Sequence, residues 1–394
     1  MTKLIATTAV GLEHIAAQDL CDSFGFPAIA AQNGAVCINI PGPATCPEVV
    51  DTIKTLNYWS RSLNRVGIIL GEGSCTDLDA CYQLALGADF SSLIDSDQSF
   101  AIRPLRKGQH PFTSIDLGRA VGQAVIDSVS EAKGERLAVD LDEPEVILRA
   151  GLFGDEFRLW LDTTGDMPLH RRSYRKQHHP ASLMPSLAYL MLRIANWTGG
   201  SLIDPMCGIA TIPIEAALYA RGIPPGQFRT GGWAYERLRW LDPTPPPSAS
   251  VDGEAPSPLV DVGSRLNILG IERFDRHLQG AWLNIAEAGL SDELRIVQGD
   301  AADLESVLDD TESYPVAVLN PPYGRRVGSR GQTEILYDHF CQSAQRSGIR
   351  RIVIITELLR AMERSLRDAE YQITAHHPVM YGNLSAVVFV ADQA

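Results

Sequence analysis

The chain of 394 residues is poor in lysine, lacks paired cysteines and has no long apolar run. Five lysines stand among 34 basic residues, so 29 are arginine. Acidic residues number 48, and the formal net charge is −14. That balance excludes a polycation that coats phosphate through overall charge, although local patches decide binding. The seven cysteines, at 21, 37, 46, 75, 81, 207 and 341, form no Cys-x-x-Cys pair. Zinc ribbons and thioredoxin-like motifs are excluded, no metal site is expected, and free thiols in a reducing cytoplasm are the natural reading. The longest apolar stretches, such as Ala386–Ala391, are too short to cross a bilayer, so no membrane partner is expected. No internal repeat is evident.

Hydrophobic residues make up 45% and charged residues 21%, the composition of a globular protein with ample core. The length suits two or three domains. The start, Met1 to Thr8 followed by Glu13 and His14, reads as a buried strand and then a helix, not a secretory signal. Strands are expected at 3–7, 35–40 and 65–70, with helices at 12–23 and 77–86. From Ser99 a second pattern begins: a strand at 100–103 ending in a basic turn, a helix from Ile115 capped by Ser114, a strand at 136–141, and a hairpin of 146–151 and 156–162 around Phe153-Gly154-Asp155. Residues 166–180 are polar and basic and look like a connector. Beyond Pro180 helices alternate with strands at 201–204, 267–272, 294–299, 316–320 and 351–356, followed by a pair at 371–376 and 386–391. That is the pattern of a parallel α/β sheet. Residues 241–264, rich in Pro, Ser, Asp and Gly, read as a mobile surface insertion.

The tips of the expected parallel strands carry the chemistry. Leu202-Ile203-Asp204 ends in acid and turns through Pro205-Met206-Cys207-Gly208-Ile209-Ala210 into a helix at Thr211. A ligand would lie there, at a helix N-terminus. Alone, this is an ordinary strand–loop–helix junction. Glu272 ends the next strand, followed by Arg273, and can accept both hydroxyls of a ribose. Asp300, followed by Ala301, ends the third and can accept from an adenine amine. Either carboxylate alone reads equally well as a helix cap. Three acidic tips in order describe an adenosine-containing cofactor lying across the sheet. The fourth strand ends in Asn320-Pro321-Pro322-Tyr323. Two prolines stiffen the backbone and leave carbonyls without competing N–H groups. The Asn320 amide oxygen and a proline carbonyl can accept from one exocyclic amine, and Tyr323 offers a face for a base. The bland reading is a Pro-rich turn.

Asn320-Pro-Pro-Tyr323 with Asp204-Pro-Met-Cys-Gly208 upstream resembles the class I S-adenosylmethionine-dependent methyltransferases that modify amino groups of nucleic-acid bases. Phe100–Arg103, Lys107–His110, Phe112–Ser114, Gly118–Gly122 and Val139–Pro144 resemble a THUMP RNA-binding domain. His170-Arg-Arg-Ser-Tyr-Arg175 is similar to the segment after THUMP in guanine-N2 RNA methyltransferases, and Ala6–Glu13 to their N-terminal ferredoxin-like domain. The resemblance implies an α/β protein: a ferredoxin-like domain at 1–65, THUMP at 66–165, a basic linker at 166–180 and a Rossmann-like methyltransferase domain at 181–394. It implies S-adenosylmethionine held by Asp204, Met206, Cys207, Gly208, Thr211, Glu272, Arg273, Asp300 and Ala301, with catalysis by Asn320, Pro321, Pro322 and Tyr323. The expected product is N2-methylguanosine in RNA, with the acceptor stem of transfer RNA ahead of large-subunit ribosomal RNA. A cytoplasmic monomer is expected.

The usual first loop of such enzymes is Cys-Gly-Ser-Gly-Thr, and here Ile209 and Ala210 replace Ser and Gly. Glycine suits positive φ and close approach to a ligand, so weaker cofactor binding or a shifted loop is expected. A THUMP protein with a degenerate methyltransferase fold is the alternative that this departure motivates. A DNA adenine-N6 methyltransferase is a third reading, against which the THUMP-like half argues. Arg103, Arg106 and Lys107, then Arg171, Arg172, Arg175 and Lys176, then Arg325, Arg326 and Arg330 are expected on loops as RNA contacts. Any one cluster reads as well as a solvated face. Cys207 is expected to be a small loop filler, not a nucleophile.

Overall fold

The computed structural model describes residues 1–179, 181–241, 258–261, 263–309, 311–322, 330–381 and 384–393. Most of the expected insertion therefore lies outside the described residues, as do Tyr323, Arg325 and Arg326.

The N-terminal half comprises β1 (Thr2–Thr7), α1 (Glu13–Phe24), β2 (Ala28–Ala31), β3 (Ala35–Ile40), α2 (Pro47–Trp59), β4 (Arg65–Ser74), α3 (Leu78–Leu86), β5 (Ser99–Lys107), α4 (Ser114–Lys133), β6 (Ala138–Val139), β7 (Val146–Phe153) and β8 (Glu156–Asp162). Its strands form one eight-stranded sheet in the order β2-β3-β1-β4-β8-β7-β5-β6. The boundary expected between residues 65 and 66 falls at the start of β4, which pairs with β1 on one side and β8 on the other. Three local readings change. Thr113, not Ser114, caps α4: its hydroxyl accepts from Asp116 N–H while Asp116 accepts from Thr113 N–H, a capping box. The strand expected at 136–141 shrinks to two residues. The strand expected to stop at Arg103 runs on to Lys107, so Arg103, Arg106 and Lys107 lie on β5 and not on a loop. Pro104 is tolerated there because β6 pairs only with Ser99 and Phe100, which leaves an open edge for a residue without an N–H.

The C-terminal half comprises α5 (Pro185–Ile194), β9 (Leu202–Asp204), α6 (Thr211–Ala220), β10 (Ile268–Glu272), α7 (Asp275–Glu287), β11 (Arg295–Gln298), β12 (Val316–Leu319), α8 (Arg330–Arg346), β13 (Arg351–Thr356), α9 (Leu359–Asp368), β14 (Tyr371–Tyr381) and β15 (Leu384–Gln393). The sheet order is β11-β10-β9-β12-β13-β15-β14, with β9 to β13 parallel and β15 antiparallel to both neighbours. The chain steps outward from β9 to β11 and returns to the other side of β9 as β12. That reversal opens a crevice at the carboxyl ends of β9 and β12, where open α/β sheets bind ligands. β9 and β10 are buried throughout and apolar apart from their acidic last residues, as strands covered by helices on both faces must be.

The halves are bolted together. Arg61, beyond α2, donates to the carbonyls of Leu218 and Ile223 at the end of α6. Tyr189 on α5 donates to Asp19 on α1 at 2.6 Å. The connector is not a solvent-exposed strap. Arg172 is 5% exposed and Tyr174 1%. The Tyr174 hydroxyl donates to Glu215 Oε1 at 2.8 Å, and Arg172 Nε lies 3.5 Å from the same oxygen. Arg172 is thus unavailable to RNA, because its charge is spent on the fully buried carboxylate of Glu215.

Candidate active site

β9 delivers Asp204 to the crevice, 2% exposed, with Oδ1 accepting from Met206 N–H at 3.2 Å. Burial pushes its carboxyl well above the ordinary range, and Glu272 nearby adds to the rise. The loop then crosses the end of β10, where Cys207 N–H donates to the Ile271 carbonyl at 2.9 Å. Gly270 on β10 leaves room for this crossing, since a Cβ there would stand 3.0 Å from Cys207 Sγ. The Cys207 thiol is buried and raised in pKa by that burial, and so suits packing better than nucleophilic attack.

Glu272 holds the loop from below. Its Oε2 accepts from Gly208 N–H at 3.0 Å, and its Oε1 accepts from Phe274 N–H at 2.8 Å and lies 3.4 Å from His277 Nδ1. Gly208 has φ +56, and a Cβ built on it would meet nothing within 4 Å. The loop therefore presents bare backbone to open space at the mouth of α6. Arg273 Nη1 and Asp300 Oδ2 pair at 3.5 Å on the outer rim, and Asp300 Oδ1 accepts from Ala302 N–H. Ala301 is buried in the core beneath.

Ala210 takes the left-handed conformation, φ 64 and ψ 31, that the usual glycine provides. Its methyl is fully buried in the core, and Ile209 is 5% exposed, packed towards Gly280 of α7. Neither side chain is exposed to the crevice. Thr211, first residue of α6, is likewise buried.

On the far side, β12 ends at Leu319 and delivers Asn320. Its Nδ2 donates to the main-chain carbonyl of Ala181 at 3.0 Å. Its Oδ1 is buried and has no partner among the described residues. A buried amide oxygen left without a donor is costly, and a site that receives a donor explains it. Pro321 is buried and Pro322 half-buried. The residues needed for an adenosine-bearing methyl donor are thus present: acidic tips in order, a bare glycine cradle, and an orphan acceptor opposite. Sequence reasoning missed Ala181, His277 and Asn284. Of these, Asn284 carried a signal, as the polar member of α7's buried face beside Gly280, Ala281 and Ile285.

Elsewhere the expected RNA contacts divide. Arg103 Nε and Nη2 donate to both oxygens of Asp166, at 3.1 and 3.0 Å. Arg106 engages His110 Nδ1, while Lys107 and Arg171 are exposed and Arg175 is half-buried. Among the described residues no cluster of side chains could hold a metal, and no helix is long and apolar enough to cross a membrane.

A Rossmann-like sheet with a ligand crevice at its switch point, behind an α+β half, is the class this architecture defines. The family described as RMKL-like, methyltransferase domain, matches residues 172–387, and the THUMP domain matches residues 75–162. The chain is 38% identical to a tRNA (guanine(6)-N2)-methyltransferase of Archaeoglobus fulgidus, over 99% of this chain and 92% of that protein. It is 36% identical to the protein of the same name from Methanocaldococcus jannaschii, over 86% and 87%. Ribosomal RNA large subunit methyltransferase K/L of Pseudomonas aeruginosa is 32% identical, over 75% of this chain and 41% of that longer protein. In fold, the chain is similar to SMU.472, solved in complex with SAH, at TM-score 0.80 and 22% identity, covering 100% and 98% of the two chains. The chain belongs to the RMKL-like methyltransferase family and carries a THUMP domain; it is an S-adenosylmethionine-dependent methyltransferase.

Proposed function

We propose that the enzyme methylates the exocyclic N2 of a guanosine in the acceptor stem of transfer RNA, at the guanine numbered 6 in the names of its two relatives. The observation that carries the reading is the buried Oδ1 of Asn320 at the carboxyl end of β12, without a partner among the described residues. An aromatic amine is a weak nucleophile whose lone pair is delocalised into the ring. Two acceptors, Asn320 Oδ1 and the Pro321 carbonyl, take its two N–H groups and turn the lone pair towards the crevice. When bound, S-adenosylmethionine supplies the electrophilic methyl on its sulfonium. Glu272 would accept from the ribose and Asp300 from the adenine, and the Gly208 backbone would hold the methionine part. The base reaches the crevice by extrusion from the duplex. The THUMP-bearing half docks the RNA, with Lys107 and Arg171 free to meet phosphate. The enzyme works as a cytoplasmic monomer.

Transfer of labelled methyl from S-adenosylmethionine onto bulk transfer RNA, ribosomal RNA and DNA, followed by nucleoside analysis, tests this. Label in N2-methylguanosine of transfer RNA is expected. Label confined to ribosomal RNA would move the chain to the branch of the K/L relatives, and label in N6-methyladenine would end the reading.

A further inference from the structure

The connector meets both sides of the reaction centre through its main chain. Asn284 is 1% exposed within the apolar face of α7. Its Oδ1 accepts from Gln177 N–H at 3.0 Å. Its Nδ2 donates to the Ile209 carbonyl at 3.2 Å and lies 3.4 Å from the Gln177 carbonyl. One amide thus clips the connector to the cofactor loop at the residue before the left-handed Ala210. Gly280, one turn earlier, permits the approach: a Cβ there would come within 3.3 Å of Ile209 Cγ2 and 3.4 Å of Gln177 Cβ. Four residues beyond Gln177, the Ala181 carbonyl accepts from Asn320 Nδ2. That hydrogen bond turns the Asn320 amide so that its oxygen, and not its nitrogen, is left for the substrate.

We infer that Asn284 is a positioning residue for methyl transfer. It fixes the connector against the cofactor loop, and the fixed connector presents the Ala181 carbonyl that sets Asn320. The inference rests on the reading of Asn320 given above. An apolar side chain would fill the same space without the desolvation cost of a buried amide, so packing alone does not account for an asparagine whose two ends serve two segments. The clip grips the connector at Gln177, six residues past the exposed Arg171, so it acts on turnover more than on RNA capture.

The test uses the full chain with Asn284→Ala, Asn284→Asp and Gln177→Pro. Asn284→Ala should lower kcat by on the order of 100-fold, the scale of a small misplacement at a reacting centre. KM for transfer RNA should stay within about twofold. Asn284→Asp, which keeps the acceptor for Gln177 and loses the donor to Ile209, should fall between Ala and wild type. Gln177→Pro removes the donated N–H from the exposed side without touching the core and should reproduce the kcat loss. Hydrogen exchange of peptides spanning 175–182 in ligand-free Asn284→Ala protein should rise above wild type. A folded Asn284→Ala enzyme with wild-type kcat overturns the inference. So does a kcat loss matched by equal losses of RNA affinity and folded fraction, which would mark a structural role only. If Asn284→Ala does not fold, wild-type kcat in Gln177→Pro overturns it. Wild-type protein that binds S-adenosylmethionine but leaves transfer RNA unmodified sinks the functional reading instead, and unchanged exchange at 175–182 would then sink the clip.

Discussion

Asn320 Nδ2 donates to the carbonyl of Ala181, 139 residues earlier in the chain, and this single bond decides which end of the Asn320 amide faces the crevice. Removing the side chain should remove the acceptor together with the bond to Ala181, and leave the cofactor side of the site in place. Asn320→Ala should lower kcat on the order of 100- to 1000-fold, the range for deleting one preorganised polar group at a reacting centre. Affinity for S-adenosylmethionine, measured by calorimetry, should stay within about threefold of wild type, because Asp204, Glu272 and the Gly208 backbone are untouched. Appreciable turnover in the variant would remove Asn320 from the reaction.

Ala210 gives a prediction opposite to the one its sequence suggests. A left-handed non-glycine residue costs about 1–2 kcal/mol. Glycine would relieve that strain, but it forfeits a buried methyl, about 0.8 kcal/mol, and loses more backbone entropy on folding, about 0.5–1 kcal/mol. The terms nearly cancel. Ala210→Gly should change urea-unfolding stability by about 1 kcal/mol or less, with cofactor affinity unchanged because the methyl faces the core. A large gain in affinity would show that the methyl does reach the cofactor.

The parallel sheet is legible because its strands are mainly apolar and end at or just before a polar residue, and the acidic tips fall in chain order. α2 was not read, although Pro47 at its first turn and buried Val49, Val50, Ile53 and Leu56 carry the helical period. The connector was misjudged because charge marks solvent only on average. Nothing local says that Arg172 will meet Glu215, 43 positions later, inside the core. The Ala181–Asn320 and Gln177–Asn284 bonds join a main-chain atom to a distant side chain, and such pairs leave no periodic trace.

Arg172 separates burial from RNA binding. Arg172→Ala leaves the Glu215 carboxylate fully buried with the Tyr174 hydroxyl as its hydrogen-bond donor. Breaking a buried pair in this way costs about 3–5 kcal/mol. The midpoint of thermal unfolding should fall sharply, while KM for transfer RNA, measured on the folded fraction, should not move. Arg171→Ala, altering an exposed neighbour, should show the reverse. A variant of Arg172 with normal stability and weakened RNA binding would put this guanidinium back on the surface.

His170 makes stability depend on mild acid. Its Nδ1 lies 3.0 Å from Asn64 Oδ1, which also accepts from the Ser186 hydroxyl at 2.8 Å. Burial, reinforced by the charges of Arg172, Arg65, Arg171 and Arg175, lowers its pKa from 6.5 to about 4. Between about pH 6.5 and 4 the unfolded chain therefore binds a proton that the folded chain refuses. Stability from this group is whole above pH 6.5 and is lost as pH falls through that window, by at most about 3 kcal/mol. His170→Gln keeps a neutral side chain at every pH, so its stability should decline less between pH 6.5 and 4.5 in parallel urea titrations. Equal slopes for the variant and the wild type would place the acid sensitivity elsewhere.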